Sequence, residues 1–500
     1  MFLMFCHSLV AMDFYVHING DDLTGDGSQA KPWRTIGYAT KKIPAHQNHT
    51  LKISAGTFFL GESVEIPLHV NVEGAGIDIT VIKATRSFYY NPPNPGFEPE
   101  CFLLRLVSAK ESNGQQSIRG LTIDGSGKQL HGGIYIHFRN NVVIENVKVQ
   151  YTNFCGIWIL KTKNSTLRKV SLLNCSWGST DWCSGALQFA DVDHVEFDQL
   201  DIDEGRGYGI KSLGQGKSHI VRHLKIHDSR ISVNPKGLWQ NGKAPNIAIE
   251  IWATSLPESE IFNCYVDNHI SLVNNNQEFA TNGNQFRIHN NVIDLLTRAK
   301  GEGYGIELAL DDVEIDHNIF KGGLTGIVNW GPQKADWKIH HNVFFGLDNP
   351  YPTAVINAHN GNLKNVEIYN NTIELSGKAT VNFLACNNGG TSENVKIFNN
   401  LIINSNEGYA HYPNRFIRLE KGSSIKNLHV ENNLLHNLSL GEIEGNLQNN
   451  IFKDPHITGS GQRPFPYYLP KPESPLIDAG VKKHEPFKGF APDIGAFEVK

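Results

Sequence analysis

The sequence predicts an all-β solenoid, a parallel β-helix of about a dozen coils, on three observations. First, a short phrase returns seven times between Phe286 and Ile451: FRIHNNVI, VEIDHNIF, WKIHHNVF, VEIYNNTI, VKIFNNLI, LHVENNLL and GNLQNNIF. Its last Asn falls at Asn291, Asn318, Asn342, Asn371, Asn400, Asn433 and Asn450, in steps of 27, 24, 29, 29, 33 and 17 residues. Second, each phrase alternates apolar and polar residues, as a short strand with one buried face does, and then sets a polar amide where the chain turns. Third, Gly, Asn and Asp separate the strands, and almost no run has the period of an amphipathic helix. A leucine-rich repeat would carry helical Leu spacing and a propeller about four strands per unit; neither pattern is present.

Taken in order, residues 1–12 (MFLMFCHSLVAM) are apolar but lack a basic start and are shorter than a usual secretory signal. They read either as a signal remnant or as a loose terminal strand. Residues 13–100 form an N-terminal cap and first coils. From 101 to 452 the coils follow one another, with weaker spellings of the phrase in VVIENVKV near Asn146, STLRKVSL near Lys169, HVEFDQLDI near Asp198, HIVRHLKI near His223 and SEIFNCYV near Asn263. Residues 453–500 close the stack. The recurring Asn reads as scaffold, each amide bonding to its counterparts above and below.

The two ends add a resemblance. FYVHINGDDLTGDGSQAKPWRTIGYATKKI, from Phe14 to Ile43, resembles the opening of secreted right-handed β-helix proteins of the pectate-lyase-like superfamily, and SPLIDAG with APDIGAFEVK resembles their closing segment. The resemblance implies a right-handed helix, a carbohydrate ligand and a place outside the cytoplasm, secreted or periplasmic. It does not select a reaction, because one scaffold hosts lyases, hydrolases, epimerases and adhesins.

Five hundred residues in a solenoid fit one body that grows along one axis. A net charge of −5 offers no general basic field, so nucleic acid is not expected as a partner. No apolar run is long enough to span a bilayer. The seven cysteines, Cys6, Cys101, Cys155, Cys175, Cys183, Cys264 and Cys386, show no metal-ligand spacing. Cys175 and Cys183 bracket a loop that a disulfide would staple in a secreted protein; most of the cysteines read as small buried core residues.

Aligning the strands that precede each Asn phrase exposes a second column, which changes residue type from coil to coil: GIYIHF, GIWILK, ALQFAD, GIKSLG, AIEIWA, ISLVNN, GIELAL, GIVNWG, AVINAH. Side chains alternate along a strand, so the residue after the first Ile faces away from the core. That column is Tyr135, Trp158, Gln188, Lys211, Glu250, Ser271, Glu307 and Val328, with Trp252 and Trp330 two positions on. Aromatic faces flanking charged groups are what a sugar groove uses. The expected substrate-binding set is Tyr135, Trp158, Gln188, Arg206, Tyr208, Trp239, Trp252, Asp311, Trp330 and His359, where Arg206, Tyr208 and Trp239 come from long loops.

Glu250 and Glu307 stand two coils apart in this column, about 9–10 Å at the backbone. Their carboxyls then reach the roughly 6.5–9.5 Å separation of an inverting glycosidase. One coil before Glu250, Lys211 would hold that carboxylate ionised as general base, while the apolar neighbours of Glu307 suit a general acid. The expected catalytic set is Glu250, Glu307 and Lys211, with no metal and no cofactor. A second reading makes the protein a polysaccharide lyase with Lys211 as base and Ca²⁺ as a possible cofactor. Lysing relatives of the alginate and chondroitin type resemble this chain in the pair Lys211–Ser212, but their Arg-His-Gly strand is absent and Glu250 stands in its place. A third reading is a non-catalytic adhesin. Arg206, Lys211, Lys236 and Lys243 point to an anionic polysaccharide, sulfated or uronic, as partner of a monomer. His340 and His341 read as part of the Asn-type turn.

Overall fold

The computed structural model describes residues 11–87, 101–128, 130–176, 185–205, 207–212, 221–234, 247–252, 256–273, 285–296, 303–329, 334–347, 353–359, 361–376, 380–387, 389–405, 408–409, 412–459, 467–483 and 486–499. Two compact units are present: Met1–Leu213 with Gly237–Ala244, and Gly214–Lys236 with Pro245–Lys500. Both are built of parallel strands, and the one helix among the described residues is Ile36–Lys42.

In the first unit the strand Asp13–Val16 pairs with Thr50–Ile53, and the helix between them is capped by Thr35, whose Oγ accepts the Tyr38 N–H at 3.3 Å. Long strands follow: Phe102–Asp124, Gly132–Gln150, Cys155–Leu173 and Gly185–Asp198. They are longer than the short strands that the alternating phrase implies because their corners do not break them. Single left-handed residues such as Asn141 and Asn146, or Asn164 and Lys169, turn the strand while pairing continues. The core is a set of straight files; Ile118, Ile144, Leu167 and Phe197 pair in register and are fully buried. Stacking like on like at each level lets apolar side chains pack without helices.

In the second unit each coil contains three short strands. Tyr304–Leu308, Val313–Asp316 and Ile319–Lys321 pair with Thr325–Asn329, Trp337–His340 and Val343–Phe345 of the next coil. Two corners per coil are left-handed: Asp312 and Asp336 at one, His317 and His341 at the other. Immediately after the second corner comes the recurring Asn, and its column is a buried amide ladder. The Nδ2 of Asn291, Asn318, Asn342, Asn371, Asn400 and Asn433 each donates to Oδ1 of the next Asn at 2.9–3.0 Å, ending at Asn450. Each Oδ1 also accepts the preceding Asn backbone N–H, and each Nδ2 reaches a carbonyl of the coil behind. Every polar group at the bend is thereby satisfied, which is the physical reason the residue recurs.

The exposed face follows the same register with alternating charge. Lys225, Glu260, Arg287, Glu314, Lys338, Glu367 and Lys396 succeed one another, coil by coil. Like charges one rung apart repel, so alternation keeps the stack tight. At the end of this unit, Tyr468, Leu476 and Ile494 pack onto Val343, Phe345, Leu401, Ile403 and Leu434, covering apolar edges that would face water.

Cys155, Cys175, Cys264 and Cys386 are buried, as core residues, and burial pushes the Cys264 and Cys386 thiols up to about 12 and about 11. Cys175 is a free thiol whose Sγ donates to Val149 O at 3.2 Å, so the expected staple is not formed; Cys6 and Cys183 lie outside the described residues. Among the described residues no helix is long and apolar enough to cross a membrane.

Candidate functional site

The irregular column exists in register within each unit. In the first, Arg105 pairs with Tyr135, Tyr135 with Trp158, Trp158 with Gln188, and Gln188 with Lys211. In the second, Glu250 pairs with Ser271, Ser271 with Glu307, Glu307 with Val328 and Val328 with Asn357.

Burial differs from the sequence expectation of an open surface strand. Tyr135, Trp158, Gln188 and Lys211 are 4%, 1%, 0% and 1% exposed. They do point away from the core files, but that side is filled: Tyr135 and Trp158 join Phe102, Phe154 and Cys155 in an apolar cluster. The Tyr135 ring lies 5.3 Å from Phe102 and 5.8 Å from Trp158, and Phe154 lies 5.9 Å from Trp158. The rings therefore pack on one another, tilted or edge to face, rather than lining an open groove. Tyr208 is not in a loop; it starts the strand Tyr208–Ser212, and the Lys211 ammonium sits 3.7 Å from its ring centroid.

In the second unit the strands Ile249–Trp252, Ile270–Val273 and Tyr304–Leu308 bring three polar side chains into one file. Glu250 and Ser271 are buried and Glu307 is half-buried. The Ser271 hydroxyl donates to Glu307 Oε2 at 2.7 Å. Burial pushes the Glu307 carboxyl above its ordinary range; the serine bond opposes this and the charge of Glu250 adds to it. Trp252, two residues beyond Glu250, is half-buried.

Four neighbours escaped the sequence reading. His269 is 3% exposed and burial lowers its imidazole to about 4, so it is neutral at physiological pH. Its ring stands 6.4 Å from Tyr304, whose phenol is raised by burial and by the charge of Glu307. Asn268 has φ 125°, a conformation that L-residues rarely adopt, and its buried Nδ2 has no hydrogen-bond partner among the described residues. Its Oδ1 accepts the His269 N–H at 2.8 Å. Asp267 accepts the Ser232 hydroxyl at 3.0 Å. The only signal in the sequence was the polar run DNH before ISLV, which the period-2 rule leaves unread.

Other expected residues are placed as follows. Asp311 is 4% exposed and accepts the Ala335 N–H at 2.7 Å, holding a turn. His359 is half-buried, its imidazole lowered by burial against an opposing contribution from Glu420. Arg206, Trp239 and Trp330, and the basic residues Lys236 and Lys243, lie outside the described residues. A cavity of about 610 Å³ opens elsewhere on the second unit, beside Lys338, Glu367, Lys396 and the amides Asn365, Asn394 and Asn427. None of the candidate residues lines it, and its groups are spent on one another: Lys396 pairs with Glu367 at 2.7 Å and the amides bond in series. Among the described residues, the Glu250–Ser271–Glu307 file is where the expected carboxylates stand in register.

Comparison with known proteins supports the architecture. A family model described as a right handed beta helix region matches residues 107–293. A mutant tailspike protein of E. coli bacteriophage HK620, in complex with a pentasaccharide, is similar with TM-score 0.50 and 12% identity over 85% of this chain and 77% of that chain. The catalytic domain of an alpha-1,3-glucanase in complex with nigerose gives 0.45 and 11% over 76% of this chain, which spans 63% of that domain. A pectate lyase gives 0.32 and 12% over 98% and 97% of the two chains. No curated protein matches the sequence. At these identities the likeness carries the fold alone, and the fold is a right-handed parallel β-helix.

Proposed function

We propose that the protein is a glycoside hydrolase that cleaves a polysaccharide with inversion, using Glu307 as general acid and Glu250 as general base. The observation that supports this reading is the file Glu250–Ser271–Glu307, in which two carboxylates stand two rungs apart in environments that differ. Two rungs amount to about 9–10 Å at the backbone. Side chains leaning toward each other leave room for the water that an inverting enzyme places between base and anomeric carbon. The Glu307 carboxyl, raised by burial and by its neighbour, holds a proton to higher pH than an exposed Glu and so can deliver it to the leaving oxygen. Trp252, half-buried beside Glu250, offers an apolar face for a sugar ring. Arg206, Lys236 and Lys243 direct the reading to an anionic polymer, sulfated or uronic, met outside the cytoplasm. The tailspike of the same fold holds a pentasaccharide, a ligand of the chemical class proposed for this chain.

A second reading rests on the buried Lys211 against Tyr208. There the protein is a lyase: Lys211 takes the proton next to a uronic carboxylate, and elimination leaves an unsaturated sugar. Ca²⁺ belongs to that reading alone, as the ion that neutralises the carboxylate.

One experiment separates these. The protein is incubated with a panel of anionic polysaccharides while new reducing ends and ultraviolet absorbance are both recorded. Reducing ends without absorbance support hydrolysis; absorbing products support the lyase; binding without either supports an adhesin. In the hydrolase, Glu250→Gln and Glu307→Gln each lower turnover by about 10²–10⁴-fold in a folded protein, and full activity in either variant overturns the assignment.

A further inference from the structure

The second corner of each coil in the second unit needs a left-handed residue, and the chain uses Asn for it at positions 263, 290, 370, 399, 432 and 449. Asn suits that conformation because its short side chain bonds locally. Asp228 (φ 50°) holds the same corner in an earlier coil, and two successive coils depart further: His317 (φ 55°) and His341 (φ 52°) occupy it, and each follows a polar strand-end residue, Asp316 and His340, that stand in register. Nothing in the turn itself requires imidazole. We propose that Asp316, His317, His340 and His341 form a binding site for a zinc-class divalent transition-metal ion that clamps two adjacent coils.

The donors already converge. His317 Nδ1 lies 2.7 Å from Asp316 Oδ2, and His340 Nδ1 lies 2.9 Å from His341 Nδ1. One ligand atom each from Asp316, His317 and His340 fall within 4.8 Å of one another. Bonds of about 2.0–2.2 Å to nitrogen and oxygen bring neighbouring ligands of one zinc ion to roughly 3 Å of each other, so the side chains need only small shifts. The donor set, imidazole nitrogens with one carboxylate oxygen, suits zinc and its neighbours rather than calcium, which takes oxygen.

An outer layer is also present. Glu314 Oε1 lies 3.1 Å from His340 Nε2, which places the His340 proton there and leaves Nδ1 as the lone-pair atom. Arg287 grips Asp316 through both oxygens at 2.7 Å and lies 3.7 Å from Glu314. Two carboxylates against one guanidinium leave the cluster with a net negative charge for a cation. For ligation, His317 and His341 move their ring proton from Nδ1 to Nε2, a change of tautomer that releases no proton. The exposed His317 ring gives the ion its way in, while Asp316 and His340 are buried beneath it.

The test uses the full chain stripped with a chelator and titrated with zinc chloride by calorimetry, with thermal unfolding followed in parallel. We expect one site of micromolar affinity or tighter, a Tm that rises with zinc and falls back with EDTA, and no matching response to calcium chloride. His317→Asn restores the residue that other coils carry at that corner, so the fold is kept. It should lower zinc affinity at least about tenfold and remove the Tm response. Absence of a zinc site in the unaltered chain, or the same affinity and Tm response in the His317→Asn variant, overturns the proposal.

Discussion

The hydroxyl of Ser271 donates to Glu307 Oε2 at 2.7 Å from the rung directly beneath it. That bond favours the ionised carboxylate, against burial and the charge of Glu250, which together keep the Glu307 carboxyl raised. Removing it leaves only the raising influences. Ser271→Ala should therefore move the alkaline limb of the kcat/KM profile to higher pH, since the acid stays protonated longer. A profile that shifts to lower pH, or does not move, removes Glu307 from the role of proton donor.

A second consequence concerns stability. The folded pKa of Glu307 lies above its unfolded value, so its contribution to stability is fully present below the unfolded pKa and is lost as pH rises through the folded one. At neutral pH the ionised group is a burden, which a neutral amide of the same shape relieves. Glu307→Gln should raise Tm at pH 7 and leave it unchanged near pH 3, while turnover drops by about 10²–10⁴-fold. A lower Tm at pH 7 contradicts the argument.

His269 provides a test of the opposite sign. Its imidazole is held at about 4 by burial, below the ordinary 6.5. The unfolded chain therefore takes up a proton first, and stability falls as pH drops from 6.5 toward 4. A shift of this size corresponds to about 3 kcal/mol at the acid end, in order of magnitude. Urea unfolding across that window should show a shallower decline in His269→Gln than in the unaltered protein. Equal slopes mean that His269 is not the group involved.

How much of this was legible in the sequence depends on which distances set it. The register of Glu250, Ser271, Glu307 and Val328 follows from a period-2 pattern locked to one Asn per coil, both local quantities, and the pairing is as the phrase implies. Whether the column meets water is not local. Phe102 and Phe154, at the entries to the strands Phe102–Asp124 and Cys155–Leu173, pack with Tyr135 and Trp158, and no spacing announces that residues at the strand entries cover the column. His269 and Asn268 were missed for a related reason. They sit where alternation stops, and a φ of 125° at Asn268 is a backbone property without a residue signature. Tyr208 looked like loop because its neighbours are Gly, yet Gly185 and Tyr208 pair in a continuous ladder.

The inner Asn ladder and the outer series Asp336–Asn365–Asn394–Asn427 should differ sharply in worth, and the difference is a matter of water. Asn371 Oδ1 accepts the backbone N–H of Asn342 at 3.0 Å, and its Nδ2 donates to Ile339 O at 2.9 Å, all in the interior. In Asn371→Ala these two backbone groups lose their partners where no solvent replaces them, at about 1–3 kcal/mol each, so a loss of about 2–6 kcal/mol is expected in urea unfolding. Asn365 is exposed, donates to Asp336 Oδ1 at 3.0 Å and accepts from Asn394 at 2.9 Å. Its φ of 53° is one that glycine adopts freely, so Asn365→Gly deletes the amide without straining the corner. Water then takes over the vacated bonds, and the change should stay within about 0.5 kcal/mol. Equal losses in the two variants would mean that the ladders act through geometry rather than through the satisfaction of buried polar groups.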